Sequence, residues 1–303
     1  MINTFQIVTD KLMSLPWQFA LAVLILINVS SVSLSKRAAD KMEGKTAVGV
    51  FFQYGLCAMI ASVIFAIKGG ILDAGAVVII GMVGAINAFG NYAQWRASAL
   101  SLSRTSLFFP LSGATAIVMA AFFLKEYSMW SASLIVGMIL CLAALFSFRI
   151  TTAIPAKDEK ITAKWMFFVL AMVLVFGTAS FLMKYFSLSI PTEQFLLGWY
   201  GGAFMGSAIV VGIGKKNVEI SANEAMVIAP VSVAIMGALA ALYWTYQLGG
   251  AVSQVVPLQQ IGIATIPVAI GMFVFGEKKK FSKMQIFSYL IALTGVILIL
   301  LPK

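Results

Sequence analysis

Unbroken apolar runs of about twenty residues, separated by short polar breaks, make up nearly all of this chain. A bilayer-spanning helix needs roughly 20 mostly apolar residues. Ten segments meet that length: 17–35, 47–67, 74–95, 99–124, 129–149, 164–186, 193–213, 224–247, 250–276 and 283–301. The runs are continuous and do not alternate, so they predict helices and not the strands of a membrane barrel. The one long polar stretch, 150–163 (ITTAIPAKDEKITA), carries Pro155 and a cluster of charges. It divides the ten spans five and five and reads as a linker between residues 1–149 and 164–303.

The two halves resemble each other at fixed offsets. Trp17 and Lys36 bracket span 1 as Trp165 and Lys184 bracket span 6, with an offset of 148 residues. Beyond the loop between spans 2 and 3 the offset becomes 151, pairing Asp73 with Glu224, Tyr92 with Tyr243, and Glu126 with Glu277. Five matches with one small shift indicate an internal repeat. Span 1 therefore behaves as a retained helix, although Lys11 followed by apolar residues 19–29 superficially resembles a signal sequence. Five is an odd number, so the second half enters the membrane from the opposite side. The expected fold is an all-α integral membrane protein of ten transmembrane helices, arranged as two inverted five-helix repeats. Repeats of that kind, meeting at the bilayer midplane, are a common plan of secondary transporters.

Composition agrees with the lipid bilayer as the main solvent. Of 303 residues, 61% are hydrophobic and 11% charged, against roughly 25% charged in soluble domains. The mean hydropathy is +0.99. The net charge of +10 would suit nucleic acid, but the Lys and Arg residues lie between apolar runs, so no nucleic-acid partner is expected. Fifteen of them fall on the side of loops 1–2, 3–4, 5–6, 7–8 and 9–10, and five on the side of the termini, with Arg104 inside span 4. That bias puts the first side in the cytoplasm and both termini outside, in a multi-pass protein of the plasma (inner) membrane.

Several chemistries lack their residues. There is no histidine, and the two cysteines, Cys57 and Cys141, sit inside apolar runs as packing residues. No metal site, bound cofactor or nucleophilic triad is expected. All eleven carboxylates lie in loops or at span ends. Asp73 and Glu224 stand just before spans 3 and 8, where a negative charge suits the positive helix end. An enzyme acting on lipid-linked substrates would need paired acids or a histidine and more than these short loops.

Polar side chains within the spans carry more information. Span 3 has Asn87, Asn91 and Gln94 on one helical face, with Tyr92 and Trp95 beside them. Span 1 has Asn28, Ser31 and Ser35 on one face; span 8 has Tyr243 and Gln247 beside Trp244 and Tyr246. Span 9 has Ser253, Gln254, Gln259 and Gln260 around Pro257. Such groups either line a cavity for a polar solute or bond helix to helix, worth about 0.6 kcal/mol each in a well-studied bundle. The aromatic residues near span ends are either interfacial anchors or a stacking wall for an aromatic or cationic substrate; Trp17 and Trp165 read as anchors. Arg104 either snorkels to the interface or faces the cavity to bind an anionic group. Pro110, Pro257 and Pro267 interrupt spans 4 and 9 as hinges or fixed kinks, and the glycines of spans 2, 3 and 7 suit close helix packing.

The ends of the fourth span in each half, AAFFLKEYSMWSASLIVGMILCLAALF and GMFVFGEKKKFSKMQIFSYLIALTGVILIL, together with Lys36 and Lys184, resemble the ten-span (EamA-like) branch of the drug/metabolite transporter superfamily. The resemblance extends over essentially the whole chain. It implies a solute carrier working by alternating access, with a central cavity lined mainly by spans 1, 3, 4, 6, 8 and 9 and with spans 5 and 10 peripheral. The expected function is transport of a small polar organic metabolite, an amino acid or similar small-molecule substrate, by a monomeric protein that is not an enzyme. Broad drug or cation efflux is the alternative, and it would call for a carboxylate within a span. The cavity candidates are Asn28, Asn87, Asn91, Tyr92, Trp95, Arg104, Tyr243, Gln247, Gln254, Gln259 and Gln260, and Glu126 and Glu277 are boundary marks that close the fourth helix of each half.

Overall fold

In the computed structural model, the residues described are 15–69, 72–106, 108–125, 131–151, 163–214, 218–252, 254–256, 258–259, 270–271, 273–276 and 283–300. Gln260, Ser253, Pro257, Pro267, Glu126, Glu277 and most of the linker (152–162) lie outside them. Every described element of regular structure is an α-helix. In chain order these are α1 (Trp17–Lys41), α2 (Thr46–Lys68), α3 (Ala74–Leu100), α4 (Leu102–Ser106), α5 (Phe109–Leu124), α6 (Ala132–Thr151), α7 (Ala163–Ser187), α8 (Thr192–Ile213), α9 (Ala222–Gln247) and α10 (Lys283–Leu300).

Seven helical segments are long and apolar enough to cross a membrane: α1, α2, α3, the stretch Arg104–Leu124, α7, α8 and α9. The helices α6 and α10, of 20 and 18 residues, are also predominantly apolar. Large apolar side chains such as Leu26, Ile67, Ile86 and Ile213 point outward from the bundle, as a lipid solvent permits and water does not. The chain is a multi-pass helical membrane protein.

Local signals set the helix ends. Asp73 Oδ1 accepts the Ala76 backbone N–H at 3.1 Å and caps α3. At the start of α9, Ser221 and Glu224 form a capping box, with bonds of 2.7 and 3.2 Å. Both acidic residues thus neutralise helix N-termini, as their positions before spans 3 and 8 suggest. Gly69 ends α2 in the left-handed conformation. Lys125, at φ 58°, ends α5 in the same conformation, and Gly276, 151 residues later, has φ 67°.

The fourth apolar run departs from the expected single helix. α3 continues to Leu100, Ser101 is extended, and the short α4 precedes α5. Pro110 falls in the first turn of α5, where its missing N–H has no intrahelical partner to lose. It starts a helix and does not kink one. Pro230, which the apolar pattern does not flag, is the proline inside α9.

α1 packs along α9, α3 along α7, α2 along both α8 and α9, α5 along α7, and α6 along α10. The tightest approach joins α3 to α8. Gly198, Gly202 and Gly206 recur every fourth residue on α8. A Cβ on Gly198 would stand 2.9 Å from the Val77 carbonyl oxygen, and one on Gly202 or Gly206 would overlap the backbone of Gly81 or Ala85. From the other side, a Cβ on Gly84 would overlap the Trp199 carbonyl. The helices touch backbone to backbone, which is how membrane helices gain dispersion contact without a hydrophobic driving force. The neighbouring Gly201 has open space around its missing Cβ. Gly202→Leu should therefore lower the thermal unfolding temperature of the purified protein sharply, or prevent accumulation of folded protein, while Gly201→Leu leaves both near wild type. Equal behaviour of the two variants would overturn the seam.

Candidate functional site

A cavity of about 160 Å³ lies among α1, α2, α3, α5, α7 and α9. α1 contributes Leu24, Asn28, Ser31, Val32 and Ser35, a single face repeated every three to four residues. α3 adds Asn87, Asn91 and Gln94, and α2 adds Tyr54. On the other side stand Phe109 and Ser112 of α5, Phe176, Ser180 and Met183 of α7, Ile235, Leu239 and Leu242 of α9, and Gln259. Among the described residues, no carboxylate, lysine or arginine lines it.

The amides do two jobs. Asn87 Nδ2 donates to the Tyr54 hydroxyl at 3.2 Å, and Asn91 Nδ2 donates to Gln53 Oε1 at 3.1 Å. Residues one turn apart on α3 thus form two rungs to consecutive residues of α2. Both readings of the span 3 face therefore have a structural basis: the same asparagines bond helix to helix and border the cavity. Ser31 and Ser112 donate to backbone carbonyls three residues earlier, at 2.9 and 2.6 Å, leaving lone pairs. Asn28 Nδ2 and Ser35 Oγ are buried with no hydrogen-bond partner among the described residues.

Other candidates from the sequence are placed elsewhere. Tyr243 donates from its hydroxyl to the Ile190 carbonyl at 2.6 Å, and its ring stacks on Phe195 at 4.0 Å. Gln247 accepts from Thr192 Oγ1 at 2.7 Å and donates to Ile190 at 3.4 Å. Together they clasp the end of α9 to the turn between α7 and α8. Trp95 is fully buried, its ring against the backbone of α2 where Gly49 leaves room. Tyr92 sits edge-on to Phe168, with ring centroids 5.9 Å apart. Gln254 is exposed. Arg104, only 2% exposed, lies in α4 and neither snorkels outward nor borders the cavity; its backbone N–H donates to Ser101 Oγ. Of the block of amides on span 9, Gln259 reaches the wall. Trp165 is no interfacial anchor either: it is buried, donates from Nε1 to Thr105 Oγ1 at 3.3 Å, and meets Phe108 edge-on.

The two bracketing lysines are both buried and both end on helix C-termini. Lys36 Nζ donates to Asp40 Oδ1 at 2.7 Å and to the Ala99 carbonyl at 3.0 Å, near the end of α3. Lys184 Nζ donates to the Tyr246 carbonyl at 3.4 Å, near the end of α9, and stands 5.7 Å from the Tyr246 ring centre. A cation there meets carbonyls near a helix C-terminus and the negative end of the helix dipole. A second recess, of about 350 Å³, is bordered by Asp40, Glu43, Arg96, Lys164 and Trp165 at the ends of α1, α3 and α7. Its charges are of both signs and it does not join the amide-lined wall.

Tyr54, Gln53, Ser112 and Ser180 belong to the cavity or its supporting rungs without having been singled out by pattern. Gln53 had a signal: it is a solitary amide in the apolar run GVFFQYGLCAM. The serines had none, since a lone serine in a membrane helix usually bonds its own backbone.

No family model matches the chain, and no curated protein matches it. Twenty chains of known structure do. One, a crystal structure of a protein, superposes with a TM-score of 0.57 at 14% identity, over 93% of this chain and 95% of its own. At that identity the likeness is one of fold. The cavity rungs have a checkable consequence. Asn91→Leu leaves the fully buried Gln53 amide without its partner, which should cost about 1–3 kcal/mol in reversible unfolding of the purified protein. An unchanged stability would show that the rung carries no weight.

Proposed function

We propose that this protein is a secondary transporter that moves a small polar organic solute across the inner membrane by alternating access. The observation that carries the reading is the cavity. Its wall combines α1, α2, α3 and α5 from the first half of the sequence with α7, α9 and Gln259 from the second. A polar site enclosed by two sets of membrane helices is what a carrier needs and what a packed structural bundle lacks.

The helix pairings support ten spans in two inverted five-helix repeats, residues 1–149 and 164–303. Exchanging the halves maps α1 on α9 onto α7 on α3, and α3 on α8 onto α9 on α2; it maps α2 on α8 and α6 on α10 onto themselves. All these pairs are in contact. Cys141 Sγ points at the Ala292 carbonyl, 3.7 Å away and 151 residues along the chain, the offset that relates the later parts of the halves. Such a pseudo-two-fold allows the same packing to be used twice, once open to each side. The small linkage of α6 and α10 to the remainder suits a peripheral role for the fifth helix of each half.

The reading is of a carrier and not an enzyme, and of exchange or facilitated diffusion, since no described carboxylate borders the cavity to bind and release a proton. The test has two stages. Purified protein is screened by thermal shift against amino acids, sugars, amines and phosphorylated metabolites, where a ligand of the folded state raises the unfolding temperature. The stabilising solute is then followed in liposomes. Counterflow of labelled solute against unlabelled solute is expected, with no accumulation driven by a proton gradient alone. A stabilising solute that shows no counterflow would overturn the carrier reading, and accumulation under the proton gradient would overturn the exchange mechanism.

A further inference from the structure

From the absence of fixed charge among the described residues of the cavity wall and its two buried donors without a partner there, we infer that the site takes an uncharged solute bearing several hydroxyl or amide groups, such as a small polyol, a neutral monosaccharide or a carboxamide. The inference rests on the carrier reading and narrows it.

The wall offers amides from Asn28, Asn87, Asn91, Gln94 and Gln259, and hydroxyls of which those of Ser35 and Tyr54 belong to almost fully buried residues. These are neutral groups that both donate and accept. The chain beyond Gln259, residues 260–276, contains no Asp, Glu, Lys, Arg or His, so it adds no charge to the wall whichever of its residues take part. The cations nearest in sequence are already engaged. Ser35 and Met183 line the cavity, while the next residues, Lys36 and Lys184, reach the carbonyls of Ala99 and Tyr246. A carboxylate, phosphate or ammonium entering here would lose its hydration shell and meet only neutral dipoles, which replace that shell in part. A hydroxyl or an amide loses one or two hydrogen bonds to water and finds equivalent partners.

Two of those partners are free. Asn28 Nδ2 and Ser35 Oγ have no acceptor among the described residues. They lie seven residues apart, two turns along one face of α1, on two residues that both line the cavity, so a small side-chain rotation would turn them toward oxygens at the two ends of one molecule. Buried donors without partners are costly in the empty site and are satisfied when a solute arrives, so they add discrimination for molecules that carry oxygens in those places. The cavity volume, about 160 Å³, is below the roughly 300–1,000 Å³ of drug-sized pockets, which suits a small metabolite better than a drug-sized cation.

Matched pairs of solutes test this with the purified full-length protein. Xylitol, ribose and nicotinamide are compared with xylonate, ribose 5-phosphate and nicotinate, and with zwitterionic glutamine, by thermal shift and equilibrium binding. At least one neutral member should stabilise the protein and bind more tightly than its charged counterpart and than glutamine. Asn28→Ala and Ser35→Ala should each weaken that binding by about threefold to tenfold, without lowering the unfolding temperature of the solute-free protein, because neither side-chain donor bonds to the described protein and removing a buried unsatisfied donor costs no hydrogen bond. Preference for a charged member or for glutamine, no response to any neutral member, or binding indifferent to both substitutions would overturn the inference. Counterflow in liposomes separates it from the carrier reading. Neutral solutes that bind without counterflow would sink the carrier and leave the solute class standing; counterflow confined to charged solutes would do the reverse.

Discussion

Lipid tails are as apolar as leucine, so two helices already in a bilayer gain almost nothing by burying leucine against leucine. They associate where their backbones come close. In this protein that constraint is met along α3, which presents three different faces. Gly81 and Ala85 meet Gly202 and Gly206 of α8, and Gly84 meets the Trp199 backbone. Gly90 admits Val175 and Phe176 of α7. Asn87, Asn91 and Gln94 turn toward α2 and the cavity. The small-residue faces hold α3 at fixed distances from one helix of each neighbouring pair, and the amide face is oriented by what remains. The position of the polar wall follows from where glycine permits contact.

The same economy runs through the lysines. A buried ammonium in a membrane helix needs a partner, and Lys36 and Lys184 find theirs in carbonyls near the ends of α3 and α9. Lys36 joins α1 to the end of α3, and Lys184 joins α7 to the end of α9. The two differ in detail: Lys36 also has Asp40 on the next turn, whereas Lys184 leans on the Tyr246 ring. The left-handed conformation that stands just before Glu126 and Glu277 in sequence is adopted by Lys125 in one place and by Gly276 in the other. The same backbone geometry is reached by different residues, and the non-glycine one carries the steric cost of a positive φ.

Much of the fold was legible because membrane helices obey one strong rule. Apolar runs of sufficient length located the seven long helices, and Asp73 and Glu224 marked two of their starts. The break between α3 and α5 was not legible. Ser101, Arg104 and Pro110 all occur in the fourth run, but nothing in their order says that α3 ends at Leu100 and that a one-turn helix intervenes. Periodicity also located the amide faces of spans 1 and 3, since a helix places i, i+4 and i+7 together whatever surrounds it. The aromatic residues misled for a related reason. Position near a span end is compatible with an interfacial ring and equally with a buried one, and Trp95, Trp165 and Tyr243 are buried because partner helices cover those ends. Which helix covers which end is tertiary information that a single chain's pattern does not contain.

The uncharged wall has an electrical side. A potential of 100 mV across a membrane acts on each elementary charge moved through it with about 2.3 kcal/mol. A carrier of the proposed kind, whose described wall residues are neutral amides, hydroxyls and apolar side chains and whose solute is uncharged, would carry nothing through that field. The cell's resting voltage would then neither pull such a solute inward nor hold it back, and the direction of net movement would be left to the concentrations on the two sides.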